Sequence, residues 1–182
     1  MKKPSVQLER FERFKREPRD INEHLDTLLK YANDPDVKTI VELGVNEGVS
    51  TTAFLMSDKK FHNVDVHIEK TFAQLLEMCK NENREINFVL ADDLTIEIPE
   101  CDLLFIDTNH IYDHLIKELN LHAEKSSKYI IMHDTYTFGI NGIVPGSKGL
   151  MIAINEFLES NKNWRIKEHF INNNGLTVLE RC

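Results

Sequence analysis

The chain has 182 residues, 41% hydrophobic and 29% charged, a length and balance suited to one domain with a genuine core. Its formal net charge of −8 argues against nonspecific binding to nucleic acid or to an anionic membrane surface. Three cysteines without CxxC spacing, no secretory pattern in "MKKPSVQLER" and no run of about 18 apolar residues point to a soluble cytoplasmic protein without structural zinc.

Residues 1–36 read as a helical arm followed by a first helix. Before Pro18 the pattern is helical and crowded with charge, which predicts a solvated or partly disordered arm. An oligomer contact is its alternative use. After Pro18, Ile21, Leu25, Leu28, Leu29 and Ala32 make one apolar helical stripe. From residue 37 to 182, short apolar runs alternate with helical stripes. "KTIVELG", "HNVDVHI", "INFVLAD", "DLLFID" and "KYIIMHD" read as buried strands. "VSTTAFLM", "FAQLLEMCKNEN", "IYDHLIKELNLHAEK" and "LMIAINEFLES" read as the helices between and after them. "WRIKEHFI" and "LTVLERC", joined by "NNNG", form a hairpin. The alternation predicts an α/β, Rossmann-like three-layer sandwich. Its seven-stranded sheet is mostly parallel, with an antiparallel C-terminal hairpin.

Ligands of such sheets bind beyond the carboxyl ends of the strands, where strand order reverses. The first strand ends in "VELGVNEGVS", where Gly44 and Gly48 let the backbone turn tightly. No GK[ST] follows, and Val45–Asn46 breaks the GxGxxG of a dinucleotide loop. Asp65 lies 21 positions after Gly44, the rough distance at which an acid reaches a ribose, with Glu69 as a second acid just beyond. Asp92 and Asp93 end the third strand, and Asp92 suits an exocyclic amine. Glu42 and Glu47 would repel a pyrophosphate, so the acids favour a cationic cofactor. S-adenosylmethionine, with its ammonium and sulfonium, fits that pattern.

"VELGVNEGVS", "ADD", "DLLFIDTNHIYDHLIKEL" and "YIIMHDT" resemble class I S-adenosylmethionine-dependent methyltransferases. The group labelled methyltransferase 24 or cephalosporin hydroxylase-like is the most similar. The resemblance spans residues 37–182 and includes the terminal hairpin, which an ordinary dinucleotide domain lacks. It implies a cofactor set of Glu42, Gly44, Asn46, Gly48, Ser50, Asp65, Asp92 and Asp107. Asp65 would take the ribose and Asp92 the adenine. Two departures stand out: a third loop glycine is missing, with Asn46 offering a side chain instead, and "DTNH" replaces the "DGDH" common in the group.

Two readings of the chemistry stay open. In one, Asp107, His133 and Asp134 hold Mg2+ or Mn2+, which would lower the pKa of an acceptor hydroxyl. His133–Asp134 stands where related O-methyltransferases carry two acids, which favours the softer Mn2+. In the other, His110 or His133 deprotonates the acceptor without a metal, with Asp107 beside it. His133 could also be a strand histidine bonded to backbone. His114, His24, His62, His122 and His169 read as surface residues, Tyr112 as core and Cys101 as inert. "TYTFGINGIVPGSKGL" carries four of the seven glycines and reads as a lid or acceptor loop with Tyr136, Thr137 and Phe138 nearest the methyl. The expected activity is O-methylation of a small hydroxylated acceptor, with a sugar suggested by the family's habits. Its rivals are an inactive methyltransferase-like binding module and a nicotinamide-dependent oxidoreductase. A nucleic-acid methyltransferase is disfavoured by the charge and by the lack of an NPPY-type motif.

Overall fold

The computed structural model describes residues 6–82 and 84–182. Its helices are α1 (Val6–Arg16), α2 (Leu25–Ala32), α3 (Val49–Leu55), α4 (Lys70–Asn81), α5 (Tyr112–His122) and α6 (Leu150–Ser160). Its strands are β1 (Thr39–Leu43), β2 (Lys60–Asp65), β3 (Asn87–Leu90), β4 (Cys101–Ile106), β5 (Ser126–His133), β6 (Trp164–Phe170) and β7 (Leu176–Arg181). They form one seven-stranded sheet in the order β3-β2-β1-β4-β5-β7-β6. Only β7 runs against its neighbours. Strand order therefore reverses between β1 and β4, and the carboxyl ends of those strands define the crevice for a ligand.

The strands are apolar on both faces because both are covered. Ile40, Leu103, Phe105 and Ile131 pack with α2, α3 and α4, including Leu25, Leu28, Phe54 and Phe72. Val41, Leu43, Leu104, Ile106 and Met132 face α5 and α6, including Leu115, Leu119, Ile154 and Phe157. The central strands are drawn together tightly at Gly44, whose φ of 80° is open to few other residues. A Cβ there would lie 2.0 Å from the Asp107 carbonyl oxygen. The glycine thus brings the end of β1 against the residue that follows β4.

Residues 6–16 differ from the expected solvated arm. Phe11 and Phe14 of α1 are 3% and 2% exposed and belong to the same core as α3 and α4. Each such burial is worth about 1.5–3 kcal/mol. The surrounding charges do not solvate these rings but cover them: the guanidiniums of Arg10, Arg13 and Arg19 lie 4.7–4.9 Å from the Phe14 centroid. Arg10 also donates to the Thr71 carbonyl, and Arg19 pairs with Glu47 in the loop after β1.

The C-terminal hairpin is built as expected, and its turn reaches the site. Asn173 and Asn174 take φ of 46° and 68°. The Asn174 carbonyl accepts the amides of Tyr136 and Thr137 at 2.9 Å each. That anchors the long loop after β5 at its start. No helix among the described residues is long and apolar enough to cross a membrane.

Candidate active site

The β1–β2 side of the crevice is assembled by hydrogen bonds from loop amides and hydroxyls. Asp65 ends β2 and its Oδ2 accepts the amides of Val45 and Asn46 at 2.8 and 3.0 Å. Its Oδ1 accepts the His67 amide at 3.1 Å. Asn46 can present its amide this way because it sits at φ 49°, a region small polar side chains tolerate. Gly48, at φ 76°, closes the loop as α3 begins; a Cβ there would meet the Phe72 ring at 2.8 Å. Asp92 is exposed and caps the turn after β3, accepting the Leu94 amide at 2.9 Å. Three apolar side chains, Val66, Ile68 and Leu90, stand 63%, 45% and 60% exposed beside these acids.

Glu42 departs from its expected place as an exposed charge at a strand end. It is fully buried on the α3 face, ringed by the Ser50 and Thr51 hydroxyls and the Asn63 amide. Burial pushes its pKa up to about 8, against the lowering effect of the two hydroxyls. At neutral pH it carries a proton and no charge. Glu47 is likewise not a bare charge, because Arg19 pairs with it. Repulsion of pyrophosphate by these two acids therefore does not stand as an argument about the cofactor. Ser50 is 5% exposed, committed to Glu42 and not to the crevice.

The β4–β5 side is assembled by charge. Asp107 follows β4, Asp134 follows β5, and His110 stands between them. His110 Nε2 lies 2.9 Å from Asp134 Oδ2 and 3.5 Å from Asp107 Oδ1. Asp134 reaches this position at φ 59°, a strained conformation for a residue with a side chain. Burial would lower the His110 pKa, but hydrogen bonds and charge from both acids outweigh it and raise it to about 10. His133 and His110 together hold the Asp107 carboxyl well below the usual range, against the opposing effect of its burial. The ring of Phe138 stacks on His110 at 4.9 Å and 12°, fixing the imidazole plane. Among the described residues, Asp107, His110 and Asp134 form a set able to hold a metal, with ligand atoms all within 4.8 Å. Asp134 Oδ1 is buried without a partner, as an atom awaiting a cation would be. Two carboxylates and an imidazole suit Mn2+ better than the all-oxygen preference of Mg2+.

His133, expected as a base and a metal ligand, is placed differently. It is 2% exposed, and Nε2 faces the carbonyls of Asp20 and Asn173 at 3.1 Å each. Carbonyls only accept, so Nε2 carries hydrogen. Nδ1 lies 3.3 Å from Asp107 Oδ2. Burial opposes the charged form, yet Asp107 and Asp134 raise the pKa to about 9. His133 is thus a buried imidazolium that balances Asp107, and His110 takes the position between Asp107 and Asp134. The backbone-bonded alternative for His133 matches its Nε2 contacts.

Other histidines expected at the surface are buried through partners distant in sequence. His24 is 1% exposed, with Nε2 2.9 Å from the Asn172 carbonyl. His122 is 3% exposed, with Nε2 2.8 Å from the Asp93 carbonyl. His114 contacts Asp93 Oδ2 at 3.0 Å, and Glu118, fully buried, accepts the Thr108 hydroxyl at 2.7 Å. The i, i+4 spacing of His114 and Glu118 was the signal available for this cluster. Tyr112 is partly buried and donates to Glu156, while Cys101 is buried and its thiol is pushed up to about 12 by desolvation. The long loop after β5 exposes Tyr136, Ile140, Ile143 and Val144.

No family model and no curated protein matches the sequence. Solved structures do match the fold. A methyltransferase from Podospora anserina bound to S-adenosylhomocysteine aligns over 99% of this chain and 89% of its own, with 16% identity and a TM-score of 0.67. A Staphylococcus aureus protein described as a candidate caffeoyl-CoA O-methyltransferase aligns over 98% and 93%, with 18% identity and a TM-score of 0.68. Magnesium protoporphyrin IX methyltransferase from Synechocystis, also bound to S-adenosylhomocysteine, aligns over 98% and 95%, with 13% identity and a TM-score of 0.66. The chain has the fold of the class I S-adenosylmethionine-dependent methyltransferases.

Proposed function

We propose that the chain is an S-adenosylmethionine-dependent methyltransferase that methylates an oxygen of a small hydroxylated acceptor with the help of a divalent cation. The observation that carries this reading is the pairing of two unlike half-sites at one topological switch point. On the β1–β2 side, the loop of Gly44, Asn46 and Gly48, the acids Asp65 and Asp92, and the exposed Val66, Ile68 and Leu90 offer polar partners beside an apolar face. That combination suits a nucleoside. On the β4–β5 side, Asp107, His110 and Asp134 converge where an acceptor hydroxyl would have to be held.

The transfer is an in-line displacement: the acceptor oxygen bonds to the methyl carbon as the carbon–sulfur bond breaks, leaving S-adenosylhomocysteine, and the hydroxyl proton passes to water. The chain's residues mainly align the partners and manage that proton. His110 already holds a proton at neutral pH, because its pKa is raised to about 10. It cannot take a second, so the metal-free base mechanism is the weaker alternative. A bound Mn2+ or Mg2+ would supply the missing acidity by lowering the pKa of the acceptor hydroxyl. Asp107, Asp134 and a deprotonated His110 would hold it, while His133 keeps Asp107 ionised and in place. Phe138 fixes the His110 ring, and the exposed Tyr136 and Ile140 lie on the loop that would border the acceptor.

A thermal-shift panel with S-adenosylmethionine, S-adenosylhomocysteine and NAD, each with and without Mn2+ or Mg2+, tests the reading. The first two should raise the melting temperature, since a ligand that binds only the native state stabilises it. Stabilisation by NAD alone would overturn the proposal in favour of an oxidoreductase.

A further inference from the structure

Behind the β4–β5 acids lies a second cluster that the methyl-transfer reading does not use. It joins the loop after β3, which supplies Asp93, to α5, which supplies His114 and Glu118. The two α5 residues are one turn apart and share a face. His114 Nε2 lies 3.0 Å from Asp93 Oδ2 and 3.8 Å from Glu118 Oε1. Asp93 and Glu118 are 6% and 0% exposed. Their only ion-pair partner among the described residues is the single His114, so two carboxylates face one imidazole. Glu118 Oε1 accepts the Thr108 hydroxyl, and buried Oε2 has no donor beyond a proton that the Glu118 and Asp93 carboxyls can share. A buried, undonated carboxylate oxygen is costly to keep.

We infer that Asp93, His114 and Glu118 form a second metal site, which takes a zinc-class transition-metal ion. The mixed set of two oxygens and one imidazole nitrogen fits such an ion better than the all-oxygen preference of Ca2+ or Mg2+. Four-coordinate Zn2+, with bonds of about 2.0–2.2 Å, holds its ligand atoms roughly 3.3 Å apart. The 3.0 and 3.8 Å separations bracket that value, and all three ligand atoms lie within 4.8 Å of one another. The Thr108 hydroxyl orients Glu118 from outside the ligand set, and the Asp93 carbonyl is steadied by His122 at 2.8 Å. The ion's role is architectural. It ties the loop after β3 and Thr108, the residue after Asp107, to α5.

The test is independent of the methyl-transfer reading. In a His110→Ala/Asp134→Asn background, which removes the first metal set, equilibrium dialysis against Co2+ should leave one ion bound per chain. It should show the visible absorption of a low-coordinate cobalt site. Adding Glu118→Gln, or separately His114→Asn, should lower the affinity at least tenfold while circular dichroism stays native. If Glu118→Gln does not fold, His114→Asn decides alone. A background protein that binds no Co2+, or a His114→Asn variant that binds it unchanged, would overturn the site.

Discussion

The two sides of the crevice treat their acids in opposite ways. On the β1–β2 side, Asp65 is held by backbone amides, and Glu42 is neutralised by burial among hydroxyls and an amide. On the β4–β5 side, Asp107 and Asp134 are held by histidines that carry protons. Amides cannot be exchanged, so the first side is a fixed cradle. Protons on histidine can leave, so the second side can trade them for a cation. The difference separates binding from chemistry within one sheet edge.

Removing Asp107 should break the comparison most severely. Asp107→Asn should lower methyl transfer by about 10²–10⁴-fold, read as turnover at saturating cofactor. It should also change the alkaline limb of stability. His110 and His133 have pKa values raised to about 10 and about 9, above the ordinary 6.5. The stability they contribute is complete below 6.5 and is lost as pH rises through 9 to 10. In Asp107→Asn that loss should begin at lower pH, as thermal melts across the alkaline range would register.

Glu42 tests the opposite side. Its pKa, raised from 4.5 to about 8, means that stability is complete below 4.5 and falls as pH rises through 8. The fall is at most about 5 kcal/mol at 1.36 kcal/mol per unit. Glu42→Gln should remove that contribution, so that the fall in urea-denaturation stability between about pH 5 and about pH 6.5, below the range in which His110 and His133 contribute, becomes shallower than in the wild type. A retained slope would mean that Glu42 is ionised in the fold.

Smaller effects should follow further out. Asp65→Ala releases the Val45 and Asn46 amides and should cost about 1–3 kcal/mol in the same denaturation experiment. His67 contacts Asp65 Oδ1 at 3.2 Å, but its side chain is 56% exposed. His67→Ala should therefore change stability by less than about 1 kcal/mol. Equal losses in these two variants would show that charge, not amide bonding, holds Asp65.

The architecture was legible because its signals are local. Five apolar runs with helices between them, and "NNNG" between two strand-like segments, needed no partner elsewhere in the chain. The glycine at position 44 and the acids at strand ends were legible for the same reason. What escaped were pairings across long sequence separations. Phe11 and Phe14 look solvated until Lys15 is seen to cover the first ring and three arginines the second. Glu42 looks charged until Asn63, 21 residues away, closes over it. His122 looks like a surface residue until it meets the Asp93 carbonyl, 29 positions earlier. Conversely, His133 looked available for chemistry because nothing in "YIIMHDT" reveals the carbonyls of Asp20 and Asn173.

The division of labour between the two sides can be measured by calorimetric titration of S-adenosylhomocysteine into the wild type, Asp65→Ala and Asp107→Asn. The wild type should bind, Asp65→Ala should bind at least about tenfold more weakly, a loss of about 1.4 kcal/mol, and Asp107→Asn should stay within about threefold. The reverse ranking, or no binding by the wild type, would contradict the assignment of cofactor to the β1–β2 side and chemistry to the β4–β5 side.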